Sequence, residues 1–330
     1  MATPPLPTSA ISNRAIFTTL IFLFCLIFSY AFFLTPPSNF PRGGVVTINE
    51  GSSVAEVATL LAEKQVVRFP KVFEYLIRFR SLGASSSKAT VVVAGDYAFP
   101  QPEDAIAIAE RVARGEYDIS PIKLTVPEGA NTFDIAALLA KLIPGFDVKD
   151  FIARAQPREG YLFPDTYYFQ PTWDSERMIR TMEKQFLVAT KPLASLIDKS
   201  GRTQEQIVIM ASLLEREART LESRRMIAGI LWKRLDEGMP LQVDATFAYF
   251  TNKSTYELSL KDLATSSPYN TYRYRGLPIG PIANPGLDAL TATLTPIESD
   301  YWFYLSDRTG NLHYAVDFNQ HKRNKALYLP

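Results

Sequence analysis

The chain of 330 residues has one cysteine, Cys25, and two histidines, His313 and His321. A disulfide framework is therefore excluded, and the redox state of the compartment has no bearing on folding. Two histidines near the C-terminus cannot make an HExxH zinc site, and no cysteine pair exists, so neither a metal nor any other cofactor is expected. There is no G-x-S-x-G elbow, no P-loop and no dinucleotide-binding fingerprint. Charge of one sign is also missing: 35 basic side chains face 34 acidic ones, for a net +1. No global field recruits nucleic acid, which is not an expected partner.

What the sequence does have begins with a hydrophobic run. Ala15 to Leu34 holds twenty residues without a charge, and at about 1.5 Å per residue they span the roughly 30 Å of a bilayer core. A cleaved signal peptide is the alternative, with Ser29-Tyr30-Ala31 as its cleavage site. Because the apolar run continues past that site through Phe32, Phe33 and Leu34, we read a retained single-pass anchor. The nearly 300 residues that follow contain no cysteine, which fits a domain on the extracytoplasmic side of a bacterial plasma membrane. Residues 1–14 are then a cytoplasmic N-terminus, 15–34 the membrane helix, and 35–42, with Thr35-Pro-Pro-Ser-Asn-Phe-Pro41, an extended tether.

Beyond the tether the sequence repeats itself. Val46-Thr-Ile-Asn-Glu-Gly51 recurs as Leu124-Thr-Val-Pro-Glu-Gly129, Glu56-Val-Ala58 as Asp134-Ile-Ala136, and Leu60-Leu-Ala62 as Leu138-Leu-Ala140. Each copy reads as an alternating strand, a Glu-Gly turn and an amphipathic helix. Val91 to Tyr97 reads as a further strand and Glu103 to Arg114 as a helix. We expect an α+β domain over residues 43–155, whose strand-turn-helix units resemble the LysM class of glycan-binding modules. A scaffold that only holds the next domain off the membrane is the competing reading.

From about Gln156 to the end, residues 156–330, Pro-, Tyr- and Gly-rich islands alternate with helices. One helix stands out. Thr203 and Gln206 have the spacing of a capping box, and Ile207, Met210, Ala211, Leu214, Ala218 and Leu221 fall on one face at 100° per residue. Glu215 and Glu217 flank this stripe, with Arg216 pointing away. A carboxyl half sunk into an apolar wall resists ionisation, which is what a general acid near neutral pH requires. Ala211 and Ser212 are small enough to leave room for a substrate. Helical geometry places both glutamates equally well and does not choose between them. His313 reads as a packing or surface residue in a hairpin turning at Arg308-Thr-Gly-Asn311.

Five ordered motifs, EGYLFPDTY, ASLLEREA, LQVDATFAY, SPYNTYR and GLPIGPIANPG, make the whole chain resemble the YceG-like endolytic murein transglycosylase family. That resemblance implies a fold of N-terminal transmembrane helix, small LysM-like α+β domain and larger mixed α+β catalytic domain. It implies cleavage of the MurNAc-β-1,4-GlcNAc bond of peptidoglycan glycan strands, leaving 1,6-anhydro-MurNAc ends. Carried onto this chain, the catalytic glutamate falls on Glu215, acting as acid and then base, with Gln242, Asp244, Tyr269, Asn270 and Thr271 along the substrate. Tyr269 and Asn270 would hold an N-acetyl group or ring hydroxyls. The implied partners are the glycan strands, the membrane and peptidoglycan polymerases at its surface. The family usually has Ser or Thr before the Asp of LQxD and Pro after it, where this chain has Val243 and Ala245. Two other functions fit the same residues: a hydrolase in which Asp244 activates water, and a wall-binding protein without activity.

Overall fold

A computed structural model describes residues 13–82, 92–251, 253 and 257–329, in two compact units divided between Ser120 and Pro121. In the first, α1 (Asn13–Phe33) precedes β1 (Gly44–Ile48), α2 (Val54–Glu63), α3 (Pro70–Leu82), β2 (Gly95–Phe99) and α4 (Ala105–Arg114). The second runs β3 (Ile122–Thr125), α5 (Thr132–Leu142), α6 (Val148–Ala155), β4 (Thr166–Phe169), α7 (Ser175–Thr190), α8 (Ala194–Ser200), α9 (Gln204–Glu217) and α10 (Leu221–Asp236). It continues with α11 (Ala245–Thr251), α12 (Leu260–Leu263), α13 (Leu287–Leu294), β5 (Phe303–Ser306), β6 (Leu312–Ala315) and α14 (Phe318–Tyr328). Helices and small sheets make this a mixed α+β fold, as the sequence suggests. The strand expected from Val91 begins only at Gly95, and Val91 itself lies outside the described residues.

The segments with the repeated sequence fold into two arrangements of the same order. Each copy is a β-α-α-β module whose first and last strands pair antiparallel, β1 with β2 and β3 with β4. The copies share their local chemistry. Gly51 and Gly129 turn the chain with φ of +82° and +77°, a conformation that disfavours any residue with a Cβ. Two residues later the capping boxes Ser53/Glu56 and Asn131/Asp134 start α2 and α5. The expected boundary at residue 155 separates β4 from the rest of the second module. Its closing strand β4 lies inside the EGYLFPDTYYF island, so the second copy belongs with the distal unit.

In the first unit, Val46, Ile48, Leu61, Phe73, Tyr97 and Ile108 share one core. The segment read as a tether is bound to it: Phe40 is buried, its ring 6.0 Å from that of Phe99. Arg68 donates to the carbonyls of Phe32 and Pro36 at 3.3 and 3.1 Å. The span Ile16–Phe33 in α1 is long and apolar enough to cross a membrane and is buried nowhere, unlike a soluble protein's core helix.

In the second unit α9 is the central element. Ile207 to Leu214 are all buried, the pattern of a helix surrounded by protein rather than one with a solvated face. Each large apolar side chain so buried contributes roughly 1.5–3 kcal/mol. Its partners are α13, α10 and α11. Ala211 and Ser212 are fully enclosed, and the Ser212 hydroxyl accepts from the Ile282 N–H at 3.1 Å. Their small size makes room for the loop before α13, not for a substrate. The helix ends at Glu217 rather than carrying its stripe on to Leu221, because Ala218 is extended and Thr220 caps α10 through the Ser223 N–H. The expected hairpin is present as β5-β6, with His313 accepting or donating to Asp307 at 2.9 Å and stacked on Tyr328.

Candidate active site

Glu215 and Glu217 lie two residues apart in the last turn of α9 and meet different surroundings. The Glu215 side chain is 4% exposed and forms an ion pair with the Arg224 guanidinium, itself 7% exposed. Its other oxygen accepts from the Gly286 N–H at 2.9 Å, at the start of α13. Burial pushes its carboxyl up, while Gly286 and Arg224 pull it back toward the ionised form. The turn of the second module closes over this pair. A Cβ on Gly286 would stand 2.0 Å from the Glu128 carboxylate, and one on Gly129 3.3 Å from Cγ of Glu215. Both Glu215 oxygens are therefore occupied by donors inside the protein.

Glu217 is half-buried and faces other acidic and phenolic groups. Burial and the nearby Asp244 carboxylate push its carboxyl up to about 7, against the Tyr304 hydroxyl and the Ala245 N–H, which favour its charged form. Tyr304, from β5, donates to Glu217 at 3.1 Å. Asp244, also half-buried, accepts from the Tyr272 hydroxyl. Its carboxyl is raised by burial, with Tyr272 and Lys325 acting in the opposite sense. Two carboxyls therefore stand together, and each has a tyrosine of its own.

The other expected site residues divide into two groups. Gln242 is exposed, and its backbone is left-handed at φ +55°, a conformation that costs a non-glycine residue about 1–2 kcal/mol. Its N–H donates to the Thr271 carbonyl at 3.1 Å, and the Val243 N–H to the Thr271 hydroxyl at 2.9 Å. These bonds fix the strained step that delivers Asp244. Asn270 and Thr271 are enclosed, 1% and 2% exposed. The Asn270 amide donates to the carbonyls of Leu263 and Thr265 at 2.9 and 2.7 Å, and its oxygen accepts from the N–H groups of Tyr272 and Arg273. Both side chains are enclosed and make their hydrogen bonds to backbone groups nearby. Tyr269 is half-buried, its ring centroid 5.0 Å from that of Tyr249.

Sequence reasoning missed one more acid, fully enclosed in the second unit. Glu159 of the EGYLFPDTY island accepts from the Thr132 N–H at 3.0 Å, the Asn284 amide at 2.9 Å and the Tyr249 hydroxyl at 3.3 Å. Burial pushes its carboxyl up to about 7. The Asn284 oxygen accepts from the Gly160 and Leu162 N–H groups, both at 2.9 Å, and its amide also donates to the Ala130 carbonyl at 2.9 Å. One asparagine thus ties the PIANPG loop to the second module and to the EGYLFPDTY island. The signal was present in the motifs' acidic and amide residues, but the Glu159–Asn284 pair joins positions 125 apart. Among the described residues, no group of three or more His, Cys, Asp or Glu could hold a metal ion.

The second unit sets paired acids beside Tyr- and Pro-rich loops on an α+β frame, and the chain carries one helix long and apolar enough to cross a membrane. A sequence profile of the YceG-like family matches residues 46–327, and the chain belongs to that family. It is 32% identical over 311 residues to an endolytic murein transglycosylase of Bacillus subtilis, covering 86% of this chain and 84% of that protein. It is 29% identical to the endolytic murein transglycosylase of a Streptococcus pneumoniae strain, covering 88% of this chain and 59% of that longer protein. A crystal structure of a yceG-like protein from Listeria monocytogenes superposes with a TM-score of 0.56 at 28% identity, over 86% of this chain and 99% of the other.

Proposed function

We propose that this protein is an endolytic lytic transglycosylase acting on peptidoglycan, with Glu217 as the proton-transferring residue and Asp244 as its electrostatic partner. The observation that carries the assignment is the contrast between the two glutamates. Glu215 is locked in an enclosed ion pair, whereas Glu217 is raised to about 7 beside a second carboxyl. Glu215 is charge-paired with the Arg224 guanidinium, whereas the donors to Glu217, the Tyr304 hydroxyl and the Ala245 N–H, are neutral.

In the proposed reaction protonated Glu217 gives its proton to the oxygen linking MurNAc to GlcNAc as the bond from C1 breaks. The C6 hydroxyl of the same muramic acid closes onto C1, and the Glu217 carboxylate takes the hydroxyl proton. Atoms balance without water, and the residue returns to its starting state. Asp244, whose carboxyl burial raises against the pull of Tyr272 and Lys325, disfavours a second negative charge on Glu217 and, when ionised, stabilises the positive charge developing at C1. The α1 helix holds this chemistry near the outer surface of the plasma membrane, within reach of newly polymerised strands and the polymerases that make them. The LysM-like reading of the β-α-α-β modules, as glycan-gripping units, belongs to the same proposal.

The deciding experiment incubates the full-length protein in detergent with purified peptidoglycan and analyses the products by mass spectrometry. Anhydro ends are expected. Reducing ends would assign a hydrolase in which Asp244 activates water, and binding without cleavage would assign a wall-binding protein.

A further inference from the structure

Helix α3 has two apolar sides. Phe73 and Ile77 enter the core, while Tyr75 and Phe79, one turn apart, are 71% and 76% exposed. Val72 and Leu76 extend the outer stripe at helical spacing and are half-buried. Lys71 and Arg78 flank it, both exposed and both paired with Glu74 at 2.9 and 2.6 Å. Two exposed aromatics on a stripe of this kind are uncommon on a surface that meets only water.

The position of this face relative to α1 identifies what covers it. Phe69, just before α3, packs its ring against Phe32 and Phe33, the last residues of α1, at 5.4 and 5.5 Å. Arg68 ties off the carbonyls of Phe32 and Pro36 beside it, and Tyr30 donates to Asp104 at 2.7 Å. The end of the anchor and the start of α3 are thus one packed corner. At about 1.5 Å per residue, Tyr75 and Phe79 lie no more than about 9 and 15 Å along the helix from that corner. With α1 across the bilayer, this corner stands where the helix leaves the hydrocarbon, next to the headgroup zone. Aromatic rings with flanking cations favour this zone: the rings enter the boundary while the cations meet lipid phosphates.

We propose that the Val72–Tyr75–Leu76–Phe79 face of α3 lies in the outer headgroup region of the bilayer, as a second membrane contact beside the α1 anchor. This rests on the reading in which α1 crosses the membrane. The first unit then has a fixed orientation on the lipid surface instead of pivoting about a single helix.

The test uses depth-dependent quenching in the full-length chain reconstituted in vesicles of phosphatidylethanolamine and phosphatidylglycerol. Bromine is placed on the acyl chains either near the glycerol or near the methyl end. The three native tryptophans, Trp173, Trp232 and Trp302, all belong to the second unit, and their emission is subtracted using the parent protein. Two variants are compared, Phe79→Trp and, in the middle of the anchor, Phe22→Trp. We expect Phe79→Trp to lose emission to bromine near the glycerol more than to bromine near the methyl end. Phe22→Trp should show the reverse order. Quenching of Phe22→Trp with none of Phe79→Trp overturns the second contact and leaves the anchor standing. Absence of quenching in both overturns the anchor reading and the contact with it. Reconstituting Tyr75→Ser in the Phe79→Trp background is the further check: quenching at position 79 should weaken, and an unchanged signal counts against a shared aromatic face.

Discussion

Replacing Glu217 by Gln exchanges one oxygen for an amide at nearly constant shape. The amide oxygen can still accept from the Tyr304 hydroxyl, and its NH2 can donate toward the Asp244 carboxylate that now repels Glu217. Stability should therefore hold, and above pH 7 it should rise slightly because two facing negative charges become one. What disappears is the transferable proton. General acid–base catalysis contributes about 10²–10⁴-fold, so turnover of purified peptidoglycan should fall by at least that factor, with the melting temperature unchanged or higher. Glu215→Gln is the matched comparison. It leaves the Arg224 guanidinium enclosed without a counter-charge, which costs about 3–5 kcal/mol of a total that is typically 5–15 kcal/mol. For a unit of this size that lowers the melting temperature by roughly 10 °C. The pair of variants thus separates lost chemistry from lost structure, by muropeptide analysis and thermal unfolding of the full chain in detergent. Parental activity in Glu217→Gln, with an inactive Glu215→Gln that melts normally, would refute the assignment and return the acid to Glu215.

Because Glu217 works protonated and its carboxyl stands at about 7, the rate should fall as pH rises through that value. The same shift sets a stability trend. The native state holds this proton more tightly than the unfolded chain, so stability present below about pH 4.5 is lost as pH climbs toward 7, and Glu217→Gln should flatten that slope in pH-dependent denaturant melts. Tyr304→Phe removes a donor that favours the ionised form, so the alkaline limb of the rate profile should move to higher pH. Ala245→Pro, at the first position of α11 where proline is tolerated, removes another such donor, and its alkaline limb should move the same way. Asn284→Ala strands the Gly160 and Leu162 N–H groups and removes a donor from the buried Glu159 carboxyl, and denaturant unfolding should show a loss of about 3 kcal/mol or more.

Much of the local structure was legible because its causes are local. Ser53, Asn131 and Thr203 each announce a helix through a partner three residues on, and Gly51 and Gly129 announce the repeated turn. The domain boundary was not legible, because the strand that closes the second module lies some forty residues past its first strand, among motifs that read as catalytic. The choice between Glu215 and Glu217 was hidden for the same reason. What separates them is Arg224 on the next helix, Gly286 at the start of α13, and Asp244 and Tyr304 on distant segments. Asn270 and Thr271 look like ligands in a Tyr- and Asn-rich loop, yet their hydrogen bonds are satisfied within it. Composition identifies polar groups in such a loop but not the direction they face.

The Glu128 turn has a consequence for how this protein can be taken apart. Its side chain occupies the place a Cβ at position 286 would take, and Gly129 lies against Glu215. The second β-α-α-β module is thus no interchangeable cassette but part of the machine it resembles an appendage to. A truncation that begins at its sequence-defined end would expose the α9 terminus, whereas one that begins at Pro121 keeps the unit whole.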